Sequence, residues 1–187
     1  SLCTYYLADV HLNRKDLNLL DPLRKSVQFL WHFAHPDGSF GGHYGSRSTR
    51  FFYPGGLLAL SEEMPEAHSL SEFMAESISE QRVVGLSGMD EPNLAPMFNS
   101  YAWAASLETK SPLQNTTALP DCILPCKAKQ PFRRNFAEAG ILVDRGVDHY
   151  TVLNYKKGGV VQHYLRDKLH HVDTGIVIRA PNQKLGS

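Results

Sequence analysis

An α+β chain built in two parts is what this sequence predicts: helical hairpins first, then an antiparallel sheet. Three observations carry that expectation. Up to about Leu107 the apolar residues recur at helical spacing. From about Phe132 they alternate or run in short β-branched blocks. Between the two, Pro112, Pro120, Pro125 and Pro131 crowd a stretch that suits neither a helix interior nor a central strand. The expected divisions are a helical part over 1–108, a proline-rich linker over 109–131 and an antiparallel sheet over 132–187. With 187 residues, 42% of them hydrophobic and 20% charged, the chain is long and apolar enough to fold. A chain of this size buries roughly 70% of the surface its unfolded form exposes.

The elements follow in order. Thr4 to Leu12 reads as a short amphipathic helix. Asp21-Pro22 reads as an N-cap with proline at the first helical position, opening a helix whose stripe is Leu23, Val27, Leu30, Trp31 and Ala34. Pro36 disfavours helical geometry at His35 and ends it. A glycine-rich loop follows. The next helix is expected over Gly55 to Glu63, ended by Pro65, and another uses Leu70, Phe73, Met74 and Ile78. Pro92 opens a helix carrying Leu94, Met97, Phe98, Tyr101, Ala102 and Ala105. Strands are expected over Ala139–Val143, Tyr150–Tyr155, Val160–Leu165, Leu169–Val172 and Gly175–Arg179. Gly158 and Gly159 supply the positive φ of a hairpin turn.

Composition excludes some functions. Lys plus Arg and Asp plus Glu both count 19, so the basic excess of a general nucleic-acid binder is missing. No apolar run approaches the about 18 residues of a membrane-spanning helix. The start at Ser1 and the stop at Ser187, directly after a strand-like run, read as a piece of a longer or processed protein. Cys3, Cys122 and Cys126 make a poor disulfide framework and are read as structural thiols; a metal site on Cys122 and Cys126 would lack its second pair. Asn115-Thr116-Thr117 fits a glycosylation acceptor.

The densest polar cluster is the loop from His35 to Arg50, which combines glycines with Asp37, His43, Tyr44, Arg47 and Arg50. Loops between rigid elements gather functional residues, glycines admit a ligand close to the backbone, and arginine forks suit carboxylates. The alternative is a helix connection whose glycines only turn the chain. Phosphate binding of the P-loop kind is excluded, since no Gly-Lys-Ser/Thr ending follows.

Asp37-Gly38-Ser39-Phe40 with Gly42-His43-Tyr44-Gly45-Ser46-Arg47 resembles a segment late in the helical toroid of heparinase II/III-like polysaccharide lyases. Ala137 to Ile141, Tyr150 to Val160 and Val172 to Gly175 are similar to the start of that family's C-terminal β-sandwich. The resemblance is diffuse but spans most of the chain. It implies an incomplete α/α toroid followed by a partial β-sandwich, and a periplasmic or extracellular protein. It also implies β-elimination on an acidic, uronate-containing polysaccharide. That chemistry needs a base and an acid near C5 and O4, and a group that neutralises the uronate carboxylate.

On this resemblance Tyr44, His43 and His163 are the candidate catalytic residues, and Arg47, Arg50 and Asp37 the candidate substrate-binding ones. A tyrosine acting as base near neutrality must come down by about three pKa units, roughly 4 kcal/mol; Arg47 is the nearby cation that would supply this. The competing reading of Tyr44 is an aromatic lid over the loop. The sequence departs from the family where a His-x-His-x-Asp element is expected: Gly158 to Tyr164 holds one histidine, His163. No cofactor is therefore expected, the alternative being zinc held by Asp173 with His163 or His171. Asn99 would be the carboxylate-neutralising amide, or else a buried amide with a structural partner. The second functional reading is a non-catalytic carbohydrate-binding or scaffold protein on the same fold. A third follows from Asp37 to Gly42, which is similar to the repeat segment of terpene cyclases; the β-region has no place in that architecture.

Overall fold

The computed structural model describes residues 1–110, 122–174, 177–180 and 183–186; for Arg47, Lys110 and the last two segments it describes the backbone alone. The chain is mixed helix and strand: among the described residues five α-helices precede a five-stranded antiparallel sheet. It divides into two units, and the division does not follow the chain order. One unit is Ser1–Ala34 with Phe51–Leu124; the other is His35–Arg50 with Pro125–Ser187. The glycine-rich loop therefore belongs to the unit that holds the sheet.

The helical unit contains α1 (Leu2–Asn13), α2 (Leu20–Leu30), α3 (Pro54–Ala59), α4 (Pro65–Ser79) and α5 (Glu91–Lys110). Its core is formed by Leu23 and Val27 of α2, Leu57 of α3, Leu70 and Met74 of α4 and Met97 of α5, all at most 1% exposed. Pro65 does not end a helix; it opens α4 at a first-turn position, where its missing N–H costs nothing. The preceding helix is correspondingly short. α2 starts at Leu20 without a side-chain cap, so Asp21 lies in the first turn and does not cap it. α5 runs straight through Pro96. Trp103 and Tyr53 flank Tyr5 at ring-centre distances of 5.6 and 6.3 Å, tying α1 to α5 and to the start of α3.

In the other unit the strands β1 (Phe132–Phe136), β2 (Ile141–Arg145), β3 (His149–Asn154), β4 (Val160–Leu165) and β5 (Lys168–Asp173) form a meander in sequence order. β6 (Val177–Ala180) and β7 (Gln183–Gly186) form a separate hairpin. The sheet extends one strand further towards the N-terminus than the sequence predicts, because Phe-Arg-Arg-Asn-Phe of β1 pairs along its full length with β2. Its burial is too slight to alternate visibly. Gly158 and Gly159 both adopt positive φ in the β3–β4 turn, as expected. Burial alternates along β3 and β4, so the sheet has two different faces. Cross-strand register places Val143, Tyr150, Val152, Asn154, Val160, Gln162 and Tyr164 on one face, and Asp144, His149, Thr151 and His163 on the other. A bulge between His163 and Tyr164 leaves His170 as an extra residue of β5.

Among the described residues no helix is long and apolar enough to cross a membrane.

Candidate functional site

The glycine-rich loop lies against the buried face of the sheet. Three side chains of the sheet unit grip its backbone. Asn154 Nδ2 donates to the Tyr44 carbonyl at 2.7 Å, and Lys157 Nζ donates to the carbonyls of His43 and Gly45 at 2.9 and 2.8 Å. Lys127 Nζ reaches the Pro36 carbonyl at 3.4 Å. Gly42 packs so closely on Gln162 that a Cβ there would stand 2.0 Å from Gln162 Oε1.

Within this contact runs a chain of hydrogen bonds. The Asp37 carboxylate accepts from the Ser39 N–H at 3.0 Å and from Ser39 Oγ at 2.7 Å. His35 Nδ1 lies 2.9 Å from Ser39 Oγ, and His35 Nε2 lies 2.7 Å from the Tyr44 hydroxyl. Because Ser39 spends its proton on Asp37, His35 must donate from Nδ1 and accept the Tyr44 proton at Nε2. Tyr164 stacks on the His35 ring at 4.7 Å, and its hydroxyl lies 3.3 Å from Ser39 Oγ while accepting from Gln162 Nε2. Every proton in the chain has one direction that satisfies all partners. Gln162 Oε1, pressed on Gly42, is the one buried polar atom of this group without a hydrogen bond.

The electrostatics follow from burial. His35 is fully buried and its pKa is pushed down to about 3 by desolvation, so it is neutral. Tyr44 is 2% exposed; desolvation first, then the phenols of Tyr164 and Tyr150, hold its pKa well above the ordinary value of 10. Burial likewise raises the Tyr164 phenol above its ordinary value, so it stays a phenol. The Tyr44 environment therefore works against the downward shift that a base near neutrality requires, and the residue is closed to solvent.

The candidate residues are distributed as follows. Asp37 and Tyr44 belong to the buried chain. His43 is half-buried and its carbonyl is held by Lys157. Arg50 is exposed, and the Arg47 side chain lies outside the described residues. His163 is on the opposite face of the sheet from Tyr44, because Gln162 and Tyr164, its neighbours in β4, are the residues that meet the loop. One site shared by Tyr44 and His163, as the sequence anticipates, does not form. Asn99, expected to be a buried amide, is exposed on α5. Cys126 is buried, and desolvation raises its thiol to about 12, as suits a structural thiol. Asn115 lies outside the described residues.

The face of the sheet that bears His163 is more open and carries a second polar cluster. His163 Nδ1 lies 2.7 Å from Thr151 Oγ1. The His163 ring is 5.8 Å from that of His149 and 6.0 Å from that of His170. His149 Nε2 meets Asp144 Oδ2 at 3.0 Å, and Arg133 Nε donates to Asp144 Oδ1 at 2.8 Å. The Asp144 carboxyl is held below its ordinary value, chiefly by the Arg133 hydrogen bond and then by His149. The His163 pKa is lowered by desolvation first, then by His149, His170 and His171. Among the described residues no group of three or more His, Cys, Asp or Glu side chains is arranged to hold a metal ion.

Comparison with known proteins adds no assignment: no family model, no curated protein and no solved structure matches the chain.

Proposed function

We propose that the chain binds an acidic polysaccharide through the histidine-bearing face of its sheet and does not cleave it. On this reading the five helices are part of an α/α toroid and the five-stranded sheet is one layer of a β-sandwich. The observation that carries the reading is the ionisable population of that face. Arg133, Lys168, Asp144 and Asp173 balance one another, while His149, His163, His170 and His171 gather on three adjacent strands. Positive charge gained by this imidazole cluster is what a row of carboxylates or sulfates neutralises. Elimination has less support. Its best candidate base, Tyr44, is buried, is hydrogen-bonded to a neutral histidine and has a raised pKa.

The sign of the pH dependence is fixed by the histidines. The lowered pKa of His163 means that it takes its proton below the ordinary value of 6.5, and a bound polyanion pulls that value back up. Binding to heparin and to polygalacturonate, measured by titration calorimetry at constant ionic strength, is expected to be about tenfold tighter at pH 5.5 than at pH 7.5. A His163→Gln, His170→Gln double variant is expected to lose most of that difference, and Tyr44→Phe to keep it. Ultraviolet absorbance of the unsaturated sugar product is expected to stay flat throughout. A rise in that absorbance that Tyr44→Phe abolishes would return the chain to the lyase reading. Binding that ignores pH, or that survives the double variant unchanged, would remove the histidine face as its seat.

A further inference from the structure

A cleft of about 260 Å³ opens between α3, α4 and α5 of the helical unit. Its walls are mainly apolar, with Phe52, Leu58, Ile78 and Ala104 among them. Two of the lining residues, Ser71 on α4 and Tyr101 on α5, carry hydroxyls. Both oxygens are buried, and neither has a hydrogen-bond partner among the described residues. Buried hydroxyls almost always have partners, and one left alone costs stability. A mainly apolar cleft whose few polar residues include two with unsatisfied hydroxyls has the chemistry of a ligand site: a body that excludes water and a few polar groups that fix orientation. Desolvation raises the Tyr101 phenol, so it is a neutral group able to donate and to accept.

From this cleft we infer that the helical unit has a binding site for a small, uncharged, mainly apolar molecule bearing one hydroxyl, of the phenol or alcohol class. The size argument sets the scale. A dry cavity of about 150 Å³ holds one benzene ring, so 260 Å³ accommodates a fused two-ring body. A ligand hydroxyl both donates and accepts, so it is able to partner a protein hydroxyl in either role. A charged ligand is disfavoured, because the described walls offer no cation and the charged side chain on them, Glu108, is an exposed carboxylate. The site is independent of the polysaccharide face, which belongs to the other unit.

The probe is 2-naphthol, with 2-methylnaphthalene as the analogue of nearly the same shape that cannot hydrogen-bond. Fluorescence titration of the 187-residue chain is expected to show saturable binding of 2-naphthol. Its emission should shift from the naphtholate band, seen in water, to that of the neutral form, because the cleft withholds the water that takes the excited-state proton. 2-Methylnaphthalene, followed by its displacement of the probe, is expected to bind several-fold to about tenfold more weakly, the worth of one or two hydrogen bonds. Tyr101→Phe should shrink that preference while leaving the hydrocarbon's affinity intact. Ala105→Phe, at an exposed wall position where a larger side chain does not disturb the core, should block both. Equal affinity for the two probes, binding indifferent to Ala105→Phe, or no saturable binding by a folded chain would each overturn the inference.

Discussion

Unfolding measured at pH 7 and again at pH 5 is expected to show the sheet unit losing about 2 kcal/mol of stability to a single imidazole, that of His35. Its folded pKa is about 3 and its ordinary value is 6.5. Above pH 6.5 neither the folded nor the unfolded chain protonates this ring, and its neutral hydrogen bonds to Ser39 and Tyr44 count in full. Below pH 6.5 the unfolded chain takes up a proton that the folded chain refuses. Stability therefore falls with pH across the window from 6.5 to about 3, and by the lower end the loss reaches roughly 5 kcal/mol. His163 shifts in the same direction but is part-exposed, so its share is smaller. Urea unfolding followed at several pH values checks the expectation, with His163→Gln and His35→Gln as separate variants. His163→Gln should keep most of the slope. His35→Gln should be less stable at pH 7, because Tyr44 and Ser39 lose their partner, yet should lose most of the slope. A slope unchanged in His35→Gln would mean that the acid sensitivity lies elsewhere.

This result also bears on why the site was only partly legible in the sequence. The loop from His35 to Arg50 announces itself by composition, and its contact with the sheet is what the structure delivers. What composition does not encode is which polar residues the contact buries. Tyr44 beside His43 and Arg47 reads as an activated tyrosine. Only the register of β4, which turns Gln162 and Tyr164 towards the loop, shows that the phenol is sealed against His35. His35 itself reads as the last residue before a helix-ending proline, and nothing local marks it as the centre of a hydrogen-bond chain. The histidine face was invisible for a related reason: His149 and His163 are far apart in sequence and meet only through antiparallel pairing of β3 and β4, and the bulge that brings in His170 leaves no trace in the pattern. Elements with strong periodicity were legible. Val160–Leu165 is the expected strand to the residue, and α4 carries the expected Leu70, Phe73, Met74 and Ile78. Phe132–Phe136 was missed as a strand because its arginines and asparagine are held by pairing, not by burial.

Gly56→Ala is expected to be the most damaging single-methyl change in the helical unit, and the reason decides between two opposing effects. Alanine is a better helix former than glycine by about 1 kcal/mol, and α3 carries Gly55 and Gly56 in its first turn, so propensity alone predicts stabilisation. Packing predicts the reverse. A Cβ on Gly56 would stand 2.5 Å from the Tyr5 Cα, 3.1 Å from the Tyr5 nitrogen and 3.3 Å from the Thr4 carbonyl oxygen. These are backbone atoms of α1, which cannot swing aside as a side-chain tip can. The helices would have to separate, disturbing the fully buried Ala8 and the contact of Tyr5 with Tyr53 and Trp103. Overpacking of this kind costs about 3 kcal/mol, more than the propensity returns. Gly55 is pinned in the same way, with a Cβ there 2.6 Å from the Ser100 carbonyl of α5. The glycine pair thus lets α3 sit against α1 on one side and α5 on the other. Thermal unfolding should show the Gly56→Ala transition of this unit lowered by roughly 10 °C. The control is Gly85→Ala, where φ is negative and no atom lies within 4 Å of the added methyl; it should leave the transition nearly unmoved. If the two variants melt alike, the close approach of α1 and α3 does not limit the packing of this unit, and propensity governs the position.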